Sequence, residues 1–166
     1  MGPMHDYIRG KAGIAAMPPG CIFSDFPVTY TCGGAGLAST IEDYMHFAQM
    51  LAQRGCFGGK QLLREESVCE MVKGQMPGGG AEMWGYGVRV VTKGADSYLS
   101  EGAFGWSGAY GTHFWVDPMY GLVALYFKNS LYDGGSQAST ARDYEKDVYS
   151  SLEDFIKLND NELCIW

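Results

Sequence analysis

Gly105-Trp-Ser-Gly-Ala109 sets a serine hydroxyl among small residues, with aromatic rings at Trp106 and Tyr110. A serine so placed resembles a G-x-S-x-G nucleophile elbow with alanine in the last position. An elbow needs a helix straight after its serine. Here the chain continues instead as Thr112-His-Phe-Trp-Val116, an aromatic and β-branched run that reads as a strand. The small residues Gly105, Ser107, Gly108 and Ala109 also leave the preceding strand nearly bare. Such a strand packs poorly alone. Either something else approaches it closely, or the stretch is a β-bulge or barrel-type bend.

Other reactive side chains form no set. Five cysteines (Cys21, Cys32, Cys56, Cys69 and Cys164) are an odd number without a C-x-x-C pair. That spacing excludes a full disulfide framework and common metal sites, so reduced thiols are expected. His5, His46 and His113 are scattered and no H-E-x-x-H occurs, so no metal or cofactor is expected. The net charge of -7 and the lack of a Lys/Arg cluster argue against nucleic acid and anionic membrane as partners. No apolar run reaches the roughly 18 residues of a membrane span. The opening Met-Gly-Pro-Met-His-Asp has no basic-then-apolar export pattern, and the compartment stays open.

These residues need elements to hold them. The 166 residues fit a single domain. Residues 1–30 are rich in proline and poor in periodicity, so they read as a loop segment that lies on something else. Residues 31–166 read as an α+β unit, an antiparallel sheet packed with helices. Ser39 and Glu42 form a capping box ahead of a helix over 39–54, with Ile41, Tyr44, Met45, Ala48, Leu51 and Ala52 at helical spacing. Gly55 is its left-handed stop. A shorter helix is expected over 64–76. Strands are expected over 83–92, 102–108, 111–117 and 121–129. A last helix, 139–158, carries a stripe of Tyr144, Val148, Leu152 and Phe155, with Glu145 mostly off it.

Gly33-Gly-Ala-Gly-Leu-Ala-Ser-Thr-Ile-Glu-Asp-Tyr-Met-His-Phe-Ala-Gln-Met-Leu51, Met83-Trp-Gly-Tyr-Gly-Val88, Gly105-Trp-Ser-Gly-Ala-Tyr-Gly111, Trp115-Val-Asp-Pro118 and Gly121-Leu-Val-Ala-Leu-Tyr-Phe-Lys-Asn129 together resemble the C-terminal part of the serine β-lactamase-like family. That family takes in class C β-lactamases, D-alanyl-D-alanine peptidases and family VIII carboxylesterases. The resemblance implies acyl transfer by a serine in Ser-x-x-Lys, helped by Tyr-x-Asn. A third element on a strand walls the site. Here that element matches Trp106-Ser107-Gly108. The resemblance implies that Ala109 supplies an oxyanion-hole N–H, a donor generally worth about 3 kcal/mol in the transition state. Trp106 replaces the lysine of true β-lactamases, as in the esterase and peptidase branches.

No serine has Lys three places on, and no tyrosine has Asn two places on. The expectation is a C-terminal part without its nucleophile, inactive alone, since the reaction needs a positioned nucleophile and base. In the family, two N-terminal strands pair beside the last strand. Without them strand 121–129 is an open apolar edge, which recruits other strands, so a homodimer or swapped assembly is expected there. The rival reading is a non-catalytic module that binds peptide or glycan through Trp84, Tyr86, Trp106 and Tyr110.

Overall fold

A computed structural model of the chain describes residues 39–78, 82–108, 111–128 and 139–158, with side chains to 153 in the last segment. Residues 1–30, and with them the loop expected there, lie outside the described residues, as does Ala109. The described elements run in the order α1 (Ile41–Ala52), β1 (Cys56–Phe57), β2 (Lys60–Gln61), α2 (Glu65–Met71), β3 (Met76–Pro77), β4 (Glu82–Trp84), β5 (Arg89–Val91), β6 (Phe104–Ser107), β7 (His113–Asp117), β8 (Leu122–Tyr126) and α3 (Ser139–Leu158). The fold is α+β.

Helix α1 begins one residue later than the capping box implies. Its cap is Thr40, whose side chain accepts from the Asp43 N–H, satisfying one of the free donors of the first turn. The Ser39 hydroxyl instead donates to the Thr40 carbonyl. Ala48, Met50 and Leu51 are buried, with Tyr44 and Met45 packed beside them. Ile41 and Ala52, at the two ends, are exposed. The chain leaves the helix through positive φ at Arg54 and Gly55. Two further glycines with positive φ, Gly58 and Gly59, turn the β1–β2 hairpin, as a tight two-residue turn requires. Helix α2 stops at Met71, and 76–77 adds a short strand to the sheet.

The main sheet runs β3-β4-β5-β6-β7-β8, antiparallel throughout. The apolar run 83–92 is not one strand. Gly85 to Val88 form a turn closed by the Gly85 N–H on the Val88 carbonyl, giving the β4–β5 hairpin. Strand β7 is buried along its whole length, because the sheet is covered on both faces. On one face α1 and α2 pack on Val90, Phe104, Phe114, Val116 and Leu125. On the other, α3 packs on Val91, Ala103, Trp115 and Ala124. Alternation along the strands divides these sets: Phe114 and Val116 point one way, His113, Trp115 and Asp117 the other.

Helix α3 is rotated from its apolar stripe. Its buried line is Ala141, Glu145 and Tyr149, at i, i+4 spacing, with Tyr144 and Val148 half-buried beside it. A carboxylate therefore lies where the apolar pattern alone would put a hydrocarbon. Among the described residues no helix is long and apolar enough to cross a membrane.

Candidate functional site

Three of the four residues expected at the site, Trp106, Ser107 and Gly108, lie at the end of β6 and just past it. Strand β5 pairs with β6 only at Arg89↔Gly105 and Val90↔Phe104. On the other side, β7 continues the ladder through Trp106↔Phe114 and Ser107↔His113. Among the described residues, the β5-facing edge of Trp106-Ser107-Gly108 is thus without a strand partner. The Gly108 N–H donates to the Thr112 carbonyl at 2.7 Å, and Gly111 N–H to the Gly108 carbonyl at 2.9 Å, so the turn that ends this edge is tied down.

Trp106 and Ser107 do not act on one face. The Trp106 ring is 41% exposed and rests against Trp84, with ring centroids 5.0 Å apart and planes inclined by 54°. Ser107 points to the α3 side. Its Oγ lies 2.7 Å from His113 Nδ1, and His113 Nε2 lies 2.8 Å from Glu145 Oε1. His113 and Glu145 are 3% and 6% exposed. Arg89 approaches the same Glu145 oxygen at 3.8 Å and Glu82 at 3.5 Å. Serine, imidazole and carboxylate thus form an unbroken hydrogen-bonded row.

Each member of the row has a structural cause. The hairpin register places His113 directly across from Ser107, and Cβ atoms of directly paired strand residues lie about 5 Å apart. Helix α3 crosses that face with Glu145 inward. A buried carboxylate without partners is costly, and here it meets an imidazole and a guanidinium. An ionised carboxylate can only accept, so with Glu145 charged Nε2 carries the hydrogen and Nδ1 turns its lone pair to the serine hydroxyl. The row opens on a cleft of about 220 Å³ that Ser107, His113 and Glu145 share with Arg89, Ser97 and Arg142.

Sequence reasoning places Ser107 in the wall but treats His113 as one of three scattered histidines. The hairpin offers the signal: a turn over 108–111 sets Ser107 opposite His113. Glu145 joins from 32 residues further on, and no local pattern marks it. A second buried carboxylate, Asp117, ties the other end of β7 to α3. It is 0% exposed and accepts from the Tyr149 hydroxyl, from the Met119 N–H at 2.8 Å and from the Ser100 N–H at 3.4 Å. Burial, and after it the Asp117 hydrogen bond, pushes the Tyr149 phenol well above its ordinary value.

Residues 3–148 match the family described as Beta-lactamase. Among curated proteins, the chain is 33% identical over 132 residues to "Uncharacterized protein MT1414" of Mycobacterium tuberculosis (strain CDC 1551 / Oshkosh), a match that covers 69% of this chain and 33% of that protein. The same figures hold for "Protein Rv1367c" of Mycobacterium tuberculosis (strain ATCC 25618 / H37Rv). The chain spans about a third of the length of the curated relatives it matches.

Proposed function

Because the chain belongs to the β-lactamase family, we propose that it carries the third-element wall of an acyl-transfer cavity on the Trp106 side of the sheet, and that alone it does not perform there the family's hydrolysis of β-lactams, esters or D-alanyl peptides. The observation that carries this reading is the ladder that stops at Gly105 on the β5 side. A substrate main chain lying beside Trp106-Ser107-Gly108 would take up the hydrogen bonds that β5 leaves unmade, as in strand addition. Gly108 keeps side-chain bulk away from that approach. Trp106 offers an apolar ring where a lysine would offer charge. In this reading Ala109 contributes the oxyanion-hole N–H.

The reaction also needs an attacking group and a base on the Trp106 side. Ser-x-x-Lys and Tyr-x-Asn are both missing from these 166 residues. With neither, the wall positions a substrate that nothing attacks. Incubation of the chain with nitrocefin, then intact-mass measurement, tests this. The expected result is no acyl adduct and no colour change above buffer. A serine-bound adduct of the opened lactam would overturn the proposal.

Strand β8 gains a partner on the same grounds. Among the described residues β8 is the last strand of the sheet, and Leu122-Val-Ala-Leu-Tyr126 is apolar throughout. A second copy of this chain, paired along that edge, is the proposed occupant. The alternative, a module that holds a peptide or glycan without chemistry, draws on the Trp84–Trp106 pair and on Tyr86, which is also exposed. Thermal stabilisation by muropeptides but not by acyl esters would favour it.

A further inference from the structure

The side chains of the row Ser107–His113–Glu145 lie on the α3 side of the sheet, and the proposed cavity wall uses Ser107 only through its main chain. We propose that Ser107 is a nucleophile in its own right, with His113 as its base and Glu145 as the group that orients the base, and that it takes the acyl group of a small neutral ester. The general requirement for an activated serine is a base within hydrogen-bond reach, itself held by a third group. Both distances, 2.7 and 2.8 Å, meet it. The ring is used in reverse of the familiar serine-hydrolase order, with Nδ1 on the serine and Nε2 on the carboxylate. The chemistry is indifferent to that, provided the carboxylate fixes the tautomer.

Three features separate this row from an ordinary buried polar contact. It ends on a cleft, not on packed hydrocarbon. Its base packs against the Trp115 ring, 5.2 Å away by centroids, while serine and imidazole both line the cleft. Its carboxylate has a guanidinium nearby to hold its charge. The charges around the mouth are paired, Arg89 with Glu82 and Arg142 with Asp96. The cleft of about 220 Å³ therefore suits a compact, uncharged acyl group.

In the step itself, the Ser107 hydroxyl gives its proton to His113 Nδ1 while Oγ bonds to the ester carbonyl carbon. The carbonyl carbon–alkoxy bond then breaks, and His113 returns the proton to the departing alkoxide. The products are Ser107 O-acyl and a free alcohol. With a fluorophosphonate, an Oγ–P bond replaces P–F and fluoride leaves.

A small alkyl fluorophosphonate is the probe. The folded chain is incubated with it, digested, and the labelled peptide sequenced by mass spectrometry. Labelling is expected at Ser107 in the folded chain and not in the urea-unfolded chain. His113→Gln should slow it roughly 100-fold, the usual scale of a general base. Glu145→Gln should slow it too, and serves if the histidine variant does not fold. Absence of label on Ser107, equal labelling of the unfolded chain, or a variant that folds and labels at the parent rate would each overturn the proposal. The nitrocefin result is independent: label on Ser107 with no lactam adduct leaves both readings standing, and a lactam adduct with unlabelled Ser107 removes both.

Discussion

Gly105 is where the sheet leaves no room for a side chain. A Cβ built there would overlap the Phe114 carbonyl oxygen and press on Trp115 Cα at 2.8 Å. Both are backbone atoms of β7, so neither can swing aside. Gly105→Ala is therefore expected to destabilise the fold by about 1–3 kcal/mol, the usual range for overpacking, as read from urea denaturation midpoints. It should also displace Ser107 from His113, since the two strands must part. The sequence displays the glycines of this stretch openly but not their separate duties. Gly105 answers to β7, whereas Gly108 faces the Thr112 side chain. Trp106 and Ser107 are adjacent in the chain and so fall to opposite faces by the two-residue period of a strand. The wall proposed for Trp106-Ser107-Gly108 therefore rests on their shared backbone edge and not on a shared side-chain face.

At the scale of elements, the sheet-and-helix plan was legible because α1 and the aromatic strands obey simple periods. The rotation of α3 was not. Its apolar stripe over Tyr144 and Val148 is real, but the line that enters the sheet face runs through Ala141, Glu145 and Tyr149. Polar groups on strand β7, His113 and Asp117, select that line, and a periodicity count weighs only hydrocarbon. The Tyr149–Asp117 contact leads to a pH prediction. The native phenol is pushed above its ordinary value of 10.0, mainly by burial, while the unfolded phenol keeps about 10. As pH rises past about 10, the unfolded chain releases this proton and the native state retains it. Stability contributed below that pH is therefore lost on the alkaline side. Tyr44, also raised by burial, adds to the same slope. Tyr149→Phe should lower the melting temperature at pH 7, because Asp117 loses a donor at a cost of about 1–3 kcal/mol. It should also flatten the decline between pH 9 and 11, measured by thermal melts across that range.

For the whole molecule, the second copy proposed at the apolar β8 edge makes association the property to measure. If a second copy pairs there, sedimentation velocity should give a dimer that dissociates on dilution, and the amides of Leu122–Tyr126 should be protected from exchange. Val123→Lys should shift the dimer towards monomer, since charge on an edge discourages strand pairing. A monomer at all concentrations with rapidly exchanging β8 amides would remove the second copy from this edge. Glu145 and Tyr149 have a further consequence for how the two layers join. Each inserts a polar tip into a matching socket on β7, four residues apart, like two teeth of a key. A helix held by grease alone can slide or roll. This one cannot turn by a single residue without presenting Lys146 and Ser150 to sockets cut for a carboxylate and a phenol. A double variant, Glu145→Ala with Tyr149→Phe, should thus leave helical content in place while the docking comes undone, so that the near-ultraviolet signal of the aromatic side chains fades and the far-ultraviolet signal stays.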